Sequence, residues 1–72
     1  MSVVYRKEKK YLRYSEWQTH TGAHRKAEWI DDLQMATVFH GPPPHRVQAY
    51  MLQDAEALPA KETRLITLEA KP

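Results

Sequence analysis

The chain has 72 residues, no cysteine, and a formal net charge of +2 from 11 Lys and Arg against 9 Asp and Glu. That length holds one small domain spanning 1–72, and the missing cysteines exclude both a disulfide staple and a thiolate site. Charged residues at 28% and apolar ones at 42% exclude a disordered chain, and a net charge this small does not by itself point to nucleic acid.

A domain of this size buries only roughly 60% of the surface its unfolded chain exposes. Its core must come from packing alone or from a partner subunit, which makes a homodimer one expectation. No apolar run approaches the ~20 residues of a membrane span, so no membrane is expected as a partner. The N-terminus MSVVYRKEKK lacks the apolar stretch of a secretory signal, and the expected location is the cytoplasm.

Ser2 to Lys7, with Val3, Val4 and Tyr5, reads as a first strand, and Glu8-Lys9 as its turn. Lys10 to Gln18 reads as a second strand. Tyr11, Arg13, Ser15 and Trp17 point to one side of it, and Leu12, Tyr14 and Glu16 to the other. THTGAH (Thr19–His24) is a polar loop with Gly22 free to take a positive φ. Arg25 to Ile30 returns as a third strand, an arrangement that brings Trp17 and Trp29 near each other across the pair.

In WIDDLQMATVF (Trp29–Phe39), Asp31 caps one turn of helix. Gln34 reaches back to the Asp31 N–H as a capping box, and Ile30 and Met35 stand at the staple positions. Ala36 to Phe39 is a short fourth strand. Pro42–Pro44 break the chain, and Pro44 suits the first position of a helix. That helix is expected from His45 to about Glu56, with Val47, Tyr50, Met51, Ala55 and Leu58 as its buried stripe. Its charges oppose the macrodipole, with Arg46 early and Asp54 and Glu56 late, so it must depend on docking to a sheet. Thr63 to Glu69 closes the chain as a strand, followed by a tail, Ala70–Lys71–Pro72. The expected fold class is α+β: a small antiparallel sheet of four to five short strands with one helix packed on one face, in the order β-β-β-turn-β-α-β.

The succession KYL (Lys10–Leu12), Trp29, DDLQMATVF (Asp31–Phe39), a helix, LPAKE (Leu58–Glu62) and a final TRLITLE strand resembles a class of short uncharacterised proteins of phages and prophages. Their pattern runs YL, then W, then D-[IL]-x-x-A-x-x-F, a helix and a terminal strand. The resemblance covers most of the chain, through residues of core type: Leu12, Trp29, Leu33, Ala36 and Phe39. The sequence departs from the pattern at the long loop around His20–His24 and at Pro42–Pro44. The resemblance implies a phage-like origin, residence in the host cytoplasm, and action by binding a host protein.

The chemistry-bearing residues give little support to catalysis. His20 and His24, and His40 and His45, have formally ligand-like spacings, but neither pair sits on one face of a helix and no cysteine joins them, so no metal is expected. Asp31 and Asp32 are accounted for by capping and by the first turn of a helix. No nucleophile elbow or glycine-rich phosphate loop occurs. The expectation is therefore no enzyme, no catalytic residue and no cofactor.

Two binding readings remain. In the first, the face of the sheet opposite the single helix is covered by a partner. Tyr11, Arg13 and Trp17 on one side of the second strand are its contact residues, being of the types that dominate interface hot spots. Strand parity leaves the converse open, with Trp17 in the core against Met51 and Leu12 and Tyr14 outside. In the second, Arg6, Lys7, Lys9, Lys10 and Arg13, interleaved with Tyr5, Tyr11 and Tyr14, bind nucleic acid through phosphate contacts and base stacking. The alternative use of those lysines is to keep an edge hairpin from aggregating. The expected function is a non-enzymatic protein-binding module that inhibits or redirects a host protein, with nucleic-acid binding as the alternative.

Overall fold

The computed structural model describes residues 2–69, and the expected tail Ala70–Lys71–Pro72 lies outside them. Five strands form one antiparallel sheet: β1 (Val3–Lys7), β2 (Lys10–Thr19), β3 (Gly22–Ile30), β4 (Glu56–Glu62) and β5 (Ile66–Leu68), in the spatial order β3-β2-β1-β4-β5. A short 3-10 turn, Leu33–Met35, and one helix, α1 (His45–Met51), complete it. The molecule is a small α+β fold made mostly of sheet.

β1 and β2 are joined by the expected turn at Glu8-Lys9, with Lys7 opposite Lys10. Glu8 takes φ 57°, the left-handed conformation that matches the twist of a tight hairpin and that Gly or Asn adopts at lower cost. β2 and β3 are joined more tightly than expected. Their register runs from Tyr11 opposite Ile30 to Thr19 opposite Gly22, so the loop expected over Thr19–His24 shrinks to His20-Thr21. Gly22, at φ 128°, supplies the backbone conformation that the return needs.

β1 pairs directly with β2 only at Arg6–Tyr11 and Lys7–Lys10. Beyond that the two strands splay, and the segment after the 3-10 turn fills the gap. The Thr37 N–H donates to the Leu12 carbonyl at 3.0 Å, and Phe39 exchanges N–H and C=O bonds with Val3 at 2.8 and 2.9 Å. The Thr37 hydroxyl accepts from the Tyr14 N–H at 2.8 Å and donates to the Tyr14 carbonyl at 3.0 Å. The expected fourth strand, Ala36–Phe39, is thus a single bridge wedged between two others.

The cap is also displaced by one residue. Asp32, not Asp31, accepts the Gln34 N–H at 2.9 Å. The Gln34 side chain turns away from the expected box, donates to the Ile66 carbonyl at 2.8 Å and accepts the Ile66 N–H at 2.7 Å. Its amide serves β5 as a substitute neighbouring strand, which blunts that edge of the sheet. Met35, expected as a staple, stays about half exposed (48%).

α1 is shorter than its hydrophobic spacing predicts and ends at Met51. Asp54 takes φ 63°, the chain turns, and Glu56–Glu62 leaves as β4 to pair with β1 from Val3–Pro59 to Arg6–Glu56. A strand that satisfies β1 along its open edge outweighs a last helical turn with carboxylates at the wrong pole. Ala55 and Leu58 therefore leave the helical stripe, and Tyr50 is 82% exposed. Pro59 is tolerated because its missing N–H falls where the β4–β5 ladder ends. Its carbonyl still accepts from Glu69 at 2.8 Å.

Apolar side chains collect on both sides of the sheet. With α1 lie Leu12, Phe39 and Val47, joined by Val3, Tyr5, Tyr14, Ala27, Trp29 and Met51. Phe39 meets Tyr5 edge-on, with ring centroids 5.3 Å apart. On the opposite side lie Val4, Ala36, Ala60 and Ile66, with Tyr11, Leu33, Val38 and Leu68 packed against them. Here the expectation of a bare second face is corrected. The segment from Leu33 to Val38 covers it at the base of the sheet.

Candidate binding surfaces

Both covering layers stop short of the outer half of the β2–β3 ribbon. Every residue from Glu16 to Lys26 is exposed, and the ribbon projects as an arm. Period-2 alternation and the register place Trp17 directly opposite His24. Their rings stack with centroids 5.7 Å apart and planes 17° from parallel. The His24 Nε2 lies 3.1 Å from Thr19 Oγ1 and 3.4 Å from Thr21 Oγ1, so the turn residues hold the imidazole against the indole. Trp17 remains 47% exposed. Trp29 pairs with Leu12 near the base and packs on the helix side, so the expected Trp17–Trp29 contact is replaced by Trp17–His24.

The remaining residues expected on that face divide. Tyr11 packs against the Val4 cluster and is structural. Arg13, half-buried, stands opposite Glu28, which also pairs with Lys26 at 3.5 Å. Only Trp17 of the three is an exposed anchor.

The basic set divides in a similar way. The Arg6 guanidinium contacts Glu56 at 2.9 and 3.3 Å, and that hydrogen bond and charge hold its pKa above the ordinary value. It is engaged within the fold. Lys7, Lys9 and Lys10 are exposed around the β1–β2 turn, and Lys7, Glu8 and Lys10 line a depression of about 330 Å³ beside Trp29.

A third surface was not legible in the sequence. α1 and the helix-facing side of the ribbon enclose a groove of about 260 Å³, with Tyr14, Ala27, Val47 and Met51 as its apolar lining and Arg25 and Arg46 as the charged residues on that face. The Tyr14 hydroxyl donates to Glu16, and that bond, with burial, raises the pKa of the phenol.

Among the described residues, no three His, Cys, Asp or Glu side chains are grouped to hold a metal. His20 lies in the ribbon turn, His40 Nδ1 is 2.8 Å from Ser2 Oγ, and His45 opens α1. No helix among the described residues is long and apolar enough to cross a membrane. No family model, curated protein or solved structure matches the chain.

Proposed function

We propose that this chain is a non-enzymatic protein-binding module of phage-like origin that docks on a host protein in the cytoplasm and inhibits or redirects it. The observation that carries the reading is the β2–β3 arm. It presents an exposed, stacked Trp17 beyond both covering layers. A pre-ordered aromatic ring offers contact area at little entropic cost, and Trp is enriched among the residues that dominate interfaces. The phage-like origin and the host partner rest on the resemblance of the sequence alone.

The alternative, nucleic-acid binding, is favoured by Lys7, Lys9 and Lys10 exposed around one turn. It is weakened by Arg6, whose charge is taken up by Glu56.

Capture of host proteins on the immobilised chain tests the first reading. One partner should be retained across moderate salt and lost on Trp17→Ala, with the thermal melt unchanged. Retention on heparin or DNA that fades steeply with salt and is lost on Lys9→Glu would instead favour the alternative.

A further inference from the structure

We propose that the groove between α1 and the β2–β3 ribbon binds an acidic peptide segment, inserting one large apolar side chain flanked by carboxylates. The inference deepens the protein-binding reading and rests on it, but it uses the opposite face of the ribbon from Trp17.

The size of the groove sets the first limit. About 260 Å³ falls just below the usual range of small-molecule sites and has room for one or two side chains. Its lining of Tyr14, Ala27, Val47 and Met51 offers such a side chain only apolar contact, whose burial is worth about 25 cal/mol per Å².

Charge sets the second limit. The charged side chains on the groove's face are Arg25 and Arg46, and the one carboxylate beside it is Glu16, bonded to Tyr14 and Arg25 at the rim. Among the described residues Arg46 has no ion-pair partner. Arg25 is held only by Glu16 at 3.7 Å, with both side chains exposed. Surface pairs of that kind contribute little and can be exchanged for the carboxylates of a ligand. Tyr50 stands at the mouth, 82% exposed, placed to close over an inserted side chain. An apolar floor flanked by Arg25 and the unpaired Arg46 complements an apolar residue next to carboxylates. A phosphate backbone would meet the cations but leave the floor unfilled, so the arrangement favours peptide over nucleic acid.

The test uses the full chain and a fluorescein-labelled synthetic peptide with a central Phe-Leu pair and three glutamates on each side. Binding is followed by anisotropy at physiological salt. The expected result is saturable binding that weakens at least about tenfold on Arg46→Glu and severalfold on Tyr50→Ser, and that is unchanged on Trp17→Ala. Arg46→Glu puts a carboxylate in the first turn of α1, where the helix favours it, so lost binding would not reflect unfolding; a thermal melt checks this.

Three results would overturn the assignment. One is no saturable binding. Another is equal binding of peptides with lysines for the glutamates or Gly-Ser for Phe-Leu. The third is displacement of the peptide by a single-stranded oligonucleotide whose own binding is lost on Arg46→Glu. If the peptide fails while host-protein capture still depends on Trp17, the groove falls and the protein-binding reading stands.

Discussion

Replacing Thr37 by Val should destabilise the fold far more than its position outside any strand suggests. The side chains are near in shape, but Val has no hydroxyl. In the native chain that hydroxyl accepts the Tyr14 N–H at 2.8 Å and donates to the Tyr14 carbonyl at 3.0 Å. It stands in for the β1 backbone where β1 and β2 part. Each bond contributes about 0.5–1.5 kcal/mol net, and each orphaned, part-buried group costs about 1–3 kcal/mol. We expect a loss of about 2 kcal/mol. A domain of this length holds about 4–11 kcal/mol in all, and about 2 kcal/mol lowers Tm by about 8–16 °C. Thermal unfolding followed by circular dichroism measures the global effect, and amide exchange at Tyr14 measures the local one. Thr37→Ser, which keeps the hydroxyl, should lose much less. A loss under about 0.5 kcal/mol with the Tyr14 amide still protected would refute the claim that this hydroxyl substitutes for a strand.

Gln34→Ala should release β5 by removing both bonds to Ile66. The expected cost is about 1–3 kcal/mol, with faster amide exchange at Ile66, and unchanged exchange there would contradict the clamp. Glu8→Gly should relieve the left-handed conformation at φ 57° and raise stability by about 0.5–1 kcal/mol, visible as a higher denaturant midpoint; a lower midpoint would count against the strain. For Tyr14, the hydrogen bond to Glu16 raises the pKa of the phenol, so its neutral form is favoured in the folded state. That contribution is fully present below the ordinary tyrosine pKa of about 10 and is lost as the pH rises through the raised folded value. Ultraviolet titration of the phenols should show Tyr14 ionising later than it does in Glu16→Ala, which leaves no acceptor at that position. If the substitution leaves its titration in place, the hydrogen bond is not the cause.

Local chemistry in the chain was a good guide to the strands. β-formers mark Val3–Lys7, and alternation with a tyrosine-rich register marks Lys10–Thr19. Leu12, Ala36 and Phe39 were identified as core and are buried, and Trp29 and Leu33, read with them, pack against the two clusters. The errors share one origin, which is competition for main-chain partners across long separations. Gln34 has a reasonable local use as a capping-box residue, yet Ile66, 32 positions away, takes its amide. The apolar spacing from Val47 onward suits a helix, yet β1 offers Glu56–Glu62 a full ladder, so the helix stops at Met51.

The candidate surfaces divide along the same line. The linear sequence alone established a cysteine-free chain with two Trp, four Tyr and a cluster of cations near its start, because these properties do not depend on folding. Which aromatic ring faces water was a tertiary decision. Alternation makes the two sides of a strand equivalent until something covers one of them. Here α1 and the Leu33–Val38 segment cover both sides of the base and leave the ribbon beyond Ser15 bare. The groove has no linear signature at all, since Tyr14, Ala27 and Val47 share a wall only after the chain has passed between β1 and β2 and returned as α1.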